Sequence, residues 1–343
     1  MKYIGFLFLC IFVSCQTKTS HSVSDVNIEL CADFPSKKFV SCDTLFVWDE
    51  YMPRELGVIN DLLCVTMSKS DTCIHLHEKN SGRLISKVGT IGQGPEDMLT
   101  PKLVKNTFDI DEEGLMFYDM NAKRQFFLNG KGELNNFSAL DDPYADMGSL
   151  NVGKARAVGQ LLKGEPSLFK IVENESEIVI PLSPLLPDSY KEKMKGALGY
   201  LYSSHIVCNN KLKRIVAGMY FFDMIQIYNL KGDCLKMLSL DSEYDVVENF
   251  KIMIDGDDYW GFSQSYATDK YCYLRRDLNN EKTSEKKQSQ IVQIDWNGNV
   301  VKVIELPSNV TGGFCVDEDK RIYYIVHSLT DNDELYILLS NEI

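Results

Sequence analysis

The chain has 343 residues, a formal net charge of −13 and 44% apolar residues, enough for a sizeable core. An acidic surface repels a phosphate backbone, and no Lys/Arg stripe overrides it, so DNA and RNA binding are excluded. The ten cysteines include no CxxC pair, which excludes a zinc site of the usual spacing.

The first element is a targeting segment. In MKYIGFLFLCIFVSC, Lys2 gives a short positive start, Tyr3 to Val13 is almost wholly apolar, and Ser14 is small. This layout predicts a secretory signal peptide over residues 1–14, too short for a permanent membrane helix. The Ser14–Cys15 step resembles the lipobox of bacterial lipoproteins, with Phe12 where the strictest form has leucine. That resemblance implies cleavage before Cys15 and its lipidation. Residues 15–36 open with the polar run QTKTSHSVSDVN and are expected to be a flexible tether. Gln16 is not acidic and no acidic run follows Cys15. By resemblance to lipoprotein sorting rules, this implies a periplasm-facing lipoprotein of the outer membrane, with the membrane as a partner through its lipid.

From residue 37 to 343 the pattern is short runs of Val, Ile, Tyr, Phe and Leu broken by Gly, Asn and Asp, which predicts an all-β domain. One acidic or amide turn opens DIDEEGLMFYD, VCNNKLKRIVAG and VDEDKRIYYIV. A polar-Gly hairpin recurs at Gly82, Gly132, Gly232 and Gly298, and VENESEIVI near Glu175 supplies a fifth turn. The resulting period of roughly 45–65 residues, with about four strands per unit, predicts a propeller. Six blades are expected, over 58–88, 104–137, 150–182, 200–240, 250–306 and 312–340. The early strand within 37–50 should complete the last blade and close the ring, leaving no long unpaired edge. A short helix is expected within 187–201, and the polar insertion at 277–290 is expected to be a loop.

Between the first two blades lies SKVGTIGQGPEDML. A phosphate-binding loop needs glycines and then a helix N-terminus. Here Pro95, Glu96 and Asp97 follow Gly94, no GK[ST] is present, and a strand comes next, so nucleotide binding is excluded. The stretch reads as a sharp corner. Gly92, Gln93, Gly94 and Pro95 also resemble the G-x-G-P-G-E-aromatic blade ending of six-bladed propeller lipoproteins of Bacteroides-type bacteria, the TolB-like, NHL-related group. Glu96, Asp97 and Met98 replace that signature's glycine, glutamate and aromatic. The resemblance implies a propeller and an envelope location, and no established activity.

Residues able to do chemistry are few. No GxSxG elbow is present and no catalytic set or cofactor motif stands out. His75 and His77 share one strand face but have no third metal ligand nearby, and read as half-exposed residues of an outer strand. DIDEEG at 109–114 lacks the distal acid of a calcium loop, with Met120 in its place, and reads as a blade turn. Cys64 and Cys73 flank the turn SKSD at similar distances and could form a hairpin disulfide; the bland reading is two buried thiols. Asp257, Asp258, Tyr259 and Trp260 set acids beside aromatics, a pattern that binds sugars through hydrogen bonds and stacking, or simply a turn leading into core aromatics. The leading expectation is a binding or scaffolding module for a protein or carbohydrate partner. The alternative is a calcium-assisted six-bladed hydrolase or lyase, whose residues would converge from several blades on the channel.

Overall fold

The computed structural model describes residues 20–23, 26–31, 36–37, 43–48, 52–68, 70–94, 97–104, 114–119, 121, 124–139, 150–152, 155–158, 167–173, 176–182, 186–194, 196–280, 285–306, 310–317, 322–327 and 335–340. The signal peptide, Cys15, Cys42, Pro95, Met120 and most of the 109–114 turn lie outside them.

Four strands come before the first blade: β1 (Ser20–Val23), β2 (Val26–Leu30), β3 (Ser36–Lys37) and β4 (Asp43–Trp48). Blade 1 is β5 (Met52–Ile59), β6 (Leu62–Ser68), β7 (Thr72–Glu78) and β8 (Leu84–Thr90). Blade 2 is β9 (Pro101–Val104), β10 (Gly114–Asp119), β11 (Arg124–Asn129) and β12 (Leu134–Ala139). Blade 3 is β13 (Leu150–Val152), β14 (Ala155–Val158), β15 (Ser167–Glu173) and β16 (Ser176–Pro181). Two short helices follow, α1 (Asp188–Lys193) and α2 (Leu198–Leu201). Blade 4 is β17 (Ser204–Asn209), β18 (Arg214–Met219), β19 (Ile225–Asn229) and β20 (Cys234–Ser239). After α3 (Val246–Asp255), blade 5 is β21 (Tyr259–Ala267), β22 (Tyr271–Asn280), β23 (Glu285–Asp295) and β24 (Val300–Leu306). Blade 6 is β25 (Val310–Val316), β26 (Ile322–His327) and β27 (Leu335–Ser340), with β4 antiparallel to β27 as its outer strand.

First strands of successive blades abut, as β25 and β21 do with their neighbours β5 and β17, so they line the ring's inside. Middle strands such as β6 and β7 are buried along almost their whole length, being covered by a blade on each face, while the outer β8 is mostly exposed. The six-bladed ring closed by the early strand is therefore the observed architecture. The polar 277–290 stretch is not a loop: most of it extends β22 and β23 into a long hairpin, paired from Tyr271↔Asp295 to Asn280↔Glu285.

Part of the segment expected as a tether is paired. β2 lies parallel to β20 through Glu29↔Leu238 and Leu30↔Ser239, with β1 antiparallel outside it. Ile28 and Leu30 are buried in the core between blades 3 and 4. β3 lies parallel to β24 in blade 5. The N-terminal strands thus belt the perimeter of blades 4, 5 and 6 before the first blade begins. Apolar residues spaced along a polar stretch (Val26, Ile28, Leu30) were the available signal.

Three of the four polar-Gly hairpins, those of Gly132, Gly232 and Gly298, share one hydrogen-bond pattern. Asn129 Oδ1 accepts from the backbone N–H of Lys131 (3.0 Å) and Glu133 (2.9 Å). Asn229 Oδ1 accepts from Lys231 (2.8 Å) and Asp233 (3.1 Å), and Asp295 Oδ1 from Asn297 and Asn299 (both 2.9 Å). These side chains build the turn, and a glycine at positive φ closes it: +82° at Gly298. Gly298 also presses on the preceding blade, where an added Cβ would sit 2.8 Å from Lys236 Cδ. The turns therefore act as contacts between blades.

The region around residues 187–201 forms two short helices rather than one. α3 was not anticipated. Asp245 caps it by accepting from the N–H of Val247 and Glu248 (both 2.9 Å), and Gly256 ends it in the left-handed conformation. Val246, Phe250 and Met253 form its buried stripe, and Phe250 meets Tyr190 of α1 edge-on at 5.1 Å. Among the described residues all three helices lie in connections from the outer strand of one blade to the inner strand of the next, and so on one side of the ring. We call this the helix side; the polar-Gly turns lie on the other. Among the described residues no helix is long and apolar enough to cross a membrane.

Candidate functional site at the helix-side rim of blades 4 and 5

The Asp257–Trp260 stretch opens β21, and strand geometry divides it. Tyr259 turns inward, is 2% exposed and stacks on Phe221 at 6.0 Å within the core. Tyr259 is therefore a core residue and not part of a binding face. Asp257 is exposed, and Asp258 and Trp260 are half-buried.

Trp260 meets a feature that the sequence reading missed. The Arg276 guanidinium lies 4.2 Å from the Trp260 ring centroid. Arg276 Nε and Nη2 donate to the two carboxylate oxygens of Asp223 at 2.6 and 2.5 Å, and Nη1 donates to Gln290 Oε1 at 3.0 Å. Ser239 Oγ also donates to Asp223, at 3.2 Å. Asp223 sits in the turn between β18 and β19, so this buried pair ties blade 4 to blade 5 and holds the guanidinium that lies against the Trp260 ring. A bidentate pair at such short distances is rigid.

Rings continue around the rim. Tyr200 on α2 is 63% exposed and meets Phe221 edge-on at 4.8 Å. Half-buried Tyr220 contacts Phe221 at 4.7 Å, and His205 lies 6.3 Å from Tyr220. Below them Tyr202 packs on Phe222, and its Oη accepts from the Leu186 N–H at 3.3 Å. Burial pushes the Tyr202 phenol up to about 12, and that of Tyr244 well above its usual range, so both stay neutral. Accessible rings thus stand on a floor of buried ones, and Asp257 and Asp258 directly precede Tyr259 and Trp260 in the chain.

On the other face of β22, Arg275 and Asp277 form a second buried ion pair at 2.9 Å. Ser289 Oγ donates to Asp277 at 2.5 Å, and Ser263 Oγ donates to its other oxygen. Paired arginines in an apolar strand were the signal for both pairs. Reading 277–290 as a loop hid it, because it ended the strand beside them.

The other singled-out residues are structural. His75 and His77 are buried in the third strand of blade 1 and are not half-exposed residues of an outer one. His75 Nε2 bonds Thr72 Oγ1 at 3.1 Å, and His77 Nδ1 bonds the Gly82 carbonyl at 2.8 Å. Burial lowers both pKa values, that of His75 to about 4. Among the described residues no three His, Cys, Asp or Glu are grouped to hold a metal. Cys64 and Cys73 are buried and unbridged: Cys64 faces Leu76 across the hairpin, so the two cysteines are out of register.

At the blade 1–2 corner, the Gly94 N–H donates to Asp97 Oδ2 at 2.7 Å. The Asp97 carboxylate occupies the space that a Cβ on Gly92 or Gly94 would need, which is why glycine stands at both. Arg124 Nη1 closes the corner by donating to the Gly94 carbonyl at 2.9 Å, and Met98 is fully buried beneath. A strand and not a helix follows, as expected of a corner.

The chain resembles solved propellers in fold. A member of the DUF4221 family from Bacteroides vulgatus aligns with TM-score 0.53 at 11% identity, over 90% of this chain and 95% of that one. A calcium-binding protein, regucalcin, from Agrobacterium tumefaciens aligns at 0.45 and 11% identity, over 90% of this chain and 97% of that one. A streptogramin B lyase aligns at 0.41 and 11%, over 85% and 97%. No curated protein matches in sequence. The TolB-like 6-blade propeller-like family matches across residues 31–319, most of the blades just described, and the chain belongs to that family.

Proposed function

We propose that this protein is a binding module of the bacterial envelope, anchored through a lipid on Cys15 at the periplasmic side of the outer membrane, and that it holds a carbohydrate at the helix-side rim of blades 4 and 5. The observation that carries this reading is the set of accessible rings at this rim: Tyr200 and Tyr220 packed on Phe221, and Trp260 covered on one face by the Arg276 that pairs with Asp223. Flat aromatic faces suit the faces of sugar rings, and Asp257 and Asp258, which precede Trp260, supply acceptors for hydroxyls. A rigid ring with loops gathered on one rim is suited to holding a partner.

The test is calorimetric titration with envelope glycan fragments. Removing one stacking ring should cost about 0.5–1.5 kcal/mol, so Tyr200→Ala or Trp260→Ala should weaken binding roughly 2- to 10-fold. Variants that bind every fragment as the wild type does would sink the assignment of this rim. For the anchor, Cys15→Ala should lose metabolic labelling by fatty acid and leave the membrane fraction.

A further inference from the structure

We propose that the propeller stands edge-on at the membrane, with the perimeter of blades 3–5 toward lipid and both ring sides clear of it. This inference rests on the Cys15 anchor and concerns how that anchor orients the disc.

The route of the chain sets the geometry. β1 begins at Ser20, five residues after Cys15. Fully extended, that leash spans at most about 18 Å. Ser20 pairs with Glu29, which pairs with Leu238 near the end of β20. β20 leads on to α3, so Ser20 sits at the helix-side end of the blade 4 perimeter. The leash therefore starts on the outer edge of the disc, away from both channel mouths.

Lengths and charges then choose among three orientations. With the turn side down, the leash must run back along the blade, and six-residue β20 alone is about 20 Å long at roughly 3.3 Å per residue. The leash is too short for that and for reaching beneath the ring. With the helix side down, the 241–258 stretch meets the headgroups with seven carboxylates (Asp241, Glu243, Asp245, Glu248, Asp255, Asp257 and Asp258) against one lysine, Lys251, and α1 adds two acids balanced by Lys191 and Lys193, so these helices stay net acidic. Phosphate headgroups repel that surface.

The perimeter remains, and its side chains suit contact with lipid. Leu235 is 47% exposed and Val301 37%, with Val179 at 52% on blade 3 next door. Blade 1 repeats such aliphatics with Leu84 and Ile85, so exposure alone does not choose a blade; the belt of β1–β3 does.

The experiment uses the full-length lipoprotein in vesicles of phosphatidylethanolamine and phosphatidylglycerol. A benzophenone amino acid replaces, one at a time, Leu235 and Val301 on the blade 4–5 perimeter, Leu84 on the blade 1 perimeter, Leu212 on the turn side and Ile254 on the helix side. Lipid adducts after irradiation are counted by mass spectrometry. Yields at 235 and 301 several-fold above the other three are expected. Greatest yield at 212 or 254, equal yield at 84, or no adduct at any position on floating vesicles overturns the edge-on orientation and leaves the anchor standing. A wild-type chain that does not float with the vesicles, like its Cys15→Ala variant, overturns the anchor and this orientation with it.

Discussion

Asn229 and Asp295 hold the same place in successive blades and bind their turns through the same backbone N–H groups, although one is neutral and the other ionised. The charge is therefore not needed to form the turn, but it ties the fifth blade's turn to pH. Slight burial raises the Asp295 pKa. Bonds from Asn299 and the Asn297 N–H, with Lys236 nearby, outweigh this and bring it below the ordinary aspartate value. A lowered carboxyl pKa adds stability above the unfolded value, lost as pH falls through the folded one. Asp295→Asn should therefore be less stable than the wild type near neutral pH, and the two should converge as pH falls below about 4, the ordinary aspartate range. Melting temperatures across that range decide it, and parallel curves would refute the link.

His75 carries the second pH effect. Its folded pKa, lowered by burial to about 4, lies below the unfolded value near 6.5. The unfolded chain binds the extra proton between those values, so His75 contributes stability above about pH 6.5 that drains away toward pH 4. An NMR titration should show the His75 ring neutral down to the lower limit. A midpoint near 6.5 would contradict its burial.

Breaking the blade 4–5 clamp should be expensive. Asp223→Asn leaves the Arg276 guanidinium buried without its counter-charge, which typically costs about 3–5 kcal/mol. Replacing both partners by aliphatics of similar size, Asp223→Leu with Arg276→Met, should recover most of that loss in urea unfolding. The double variant should not recover ligand binding if Trp260 depends on the guanidinium above it.

Gly298→Ala combines a positive φ with a Cβ that presses on Ile227 and Lys236. A loss of about 1–3 kcal/mol follows. Gly196, whose added Cβ meets nothing within 4 Å, is the control and should tolerate alanine.

What was legible in the sequence was whatever repeats. Gly82, Gly132, Gly232 and Gly298 each close a hairpin at positive φ, and their spacing counted the blades. The strand paired with β27 was legible because a ring needs its last edge covered. The site was much less visible. Tyr259 and Trp260 read as one aromatic patch, but alternation along β21 put one ring in the core and the other at the rim. Asp223 and Arg276 come from different blades; the paired arginines of an apolar strand hinted at a buried counter-charge, but only packing shows that it is Asp223. α3 escaped because its buried stripe of Val246, Phe250 and Met253 is short and lies among acids that read as turn.

The belt and the closing strand also set an order of events. β2, β3 and β4 are made before the blades they complete, yet their partners β20, β24 and β27 lie in the last half of the chain. The first-made strands have nothing to pair with until almost everything else has arrived. Contacts so distant in sequence make folding slow. The ring therefore cannot shut while its final strand is still unmade, and the whole chain must be present before any of its last edges is covered.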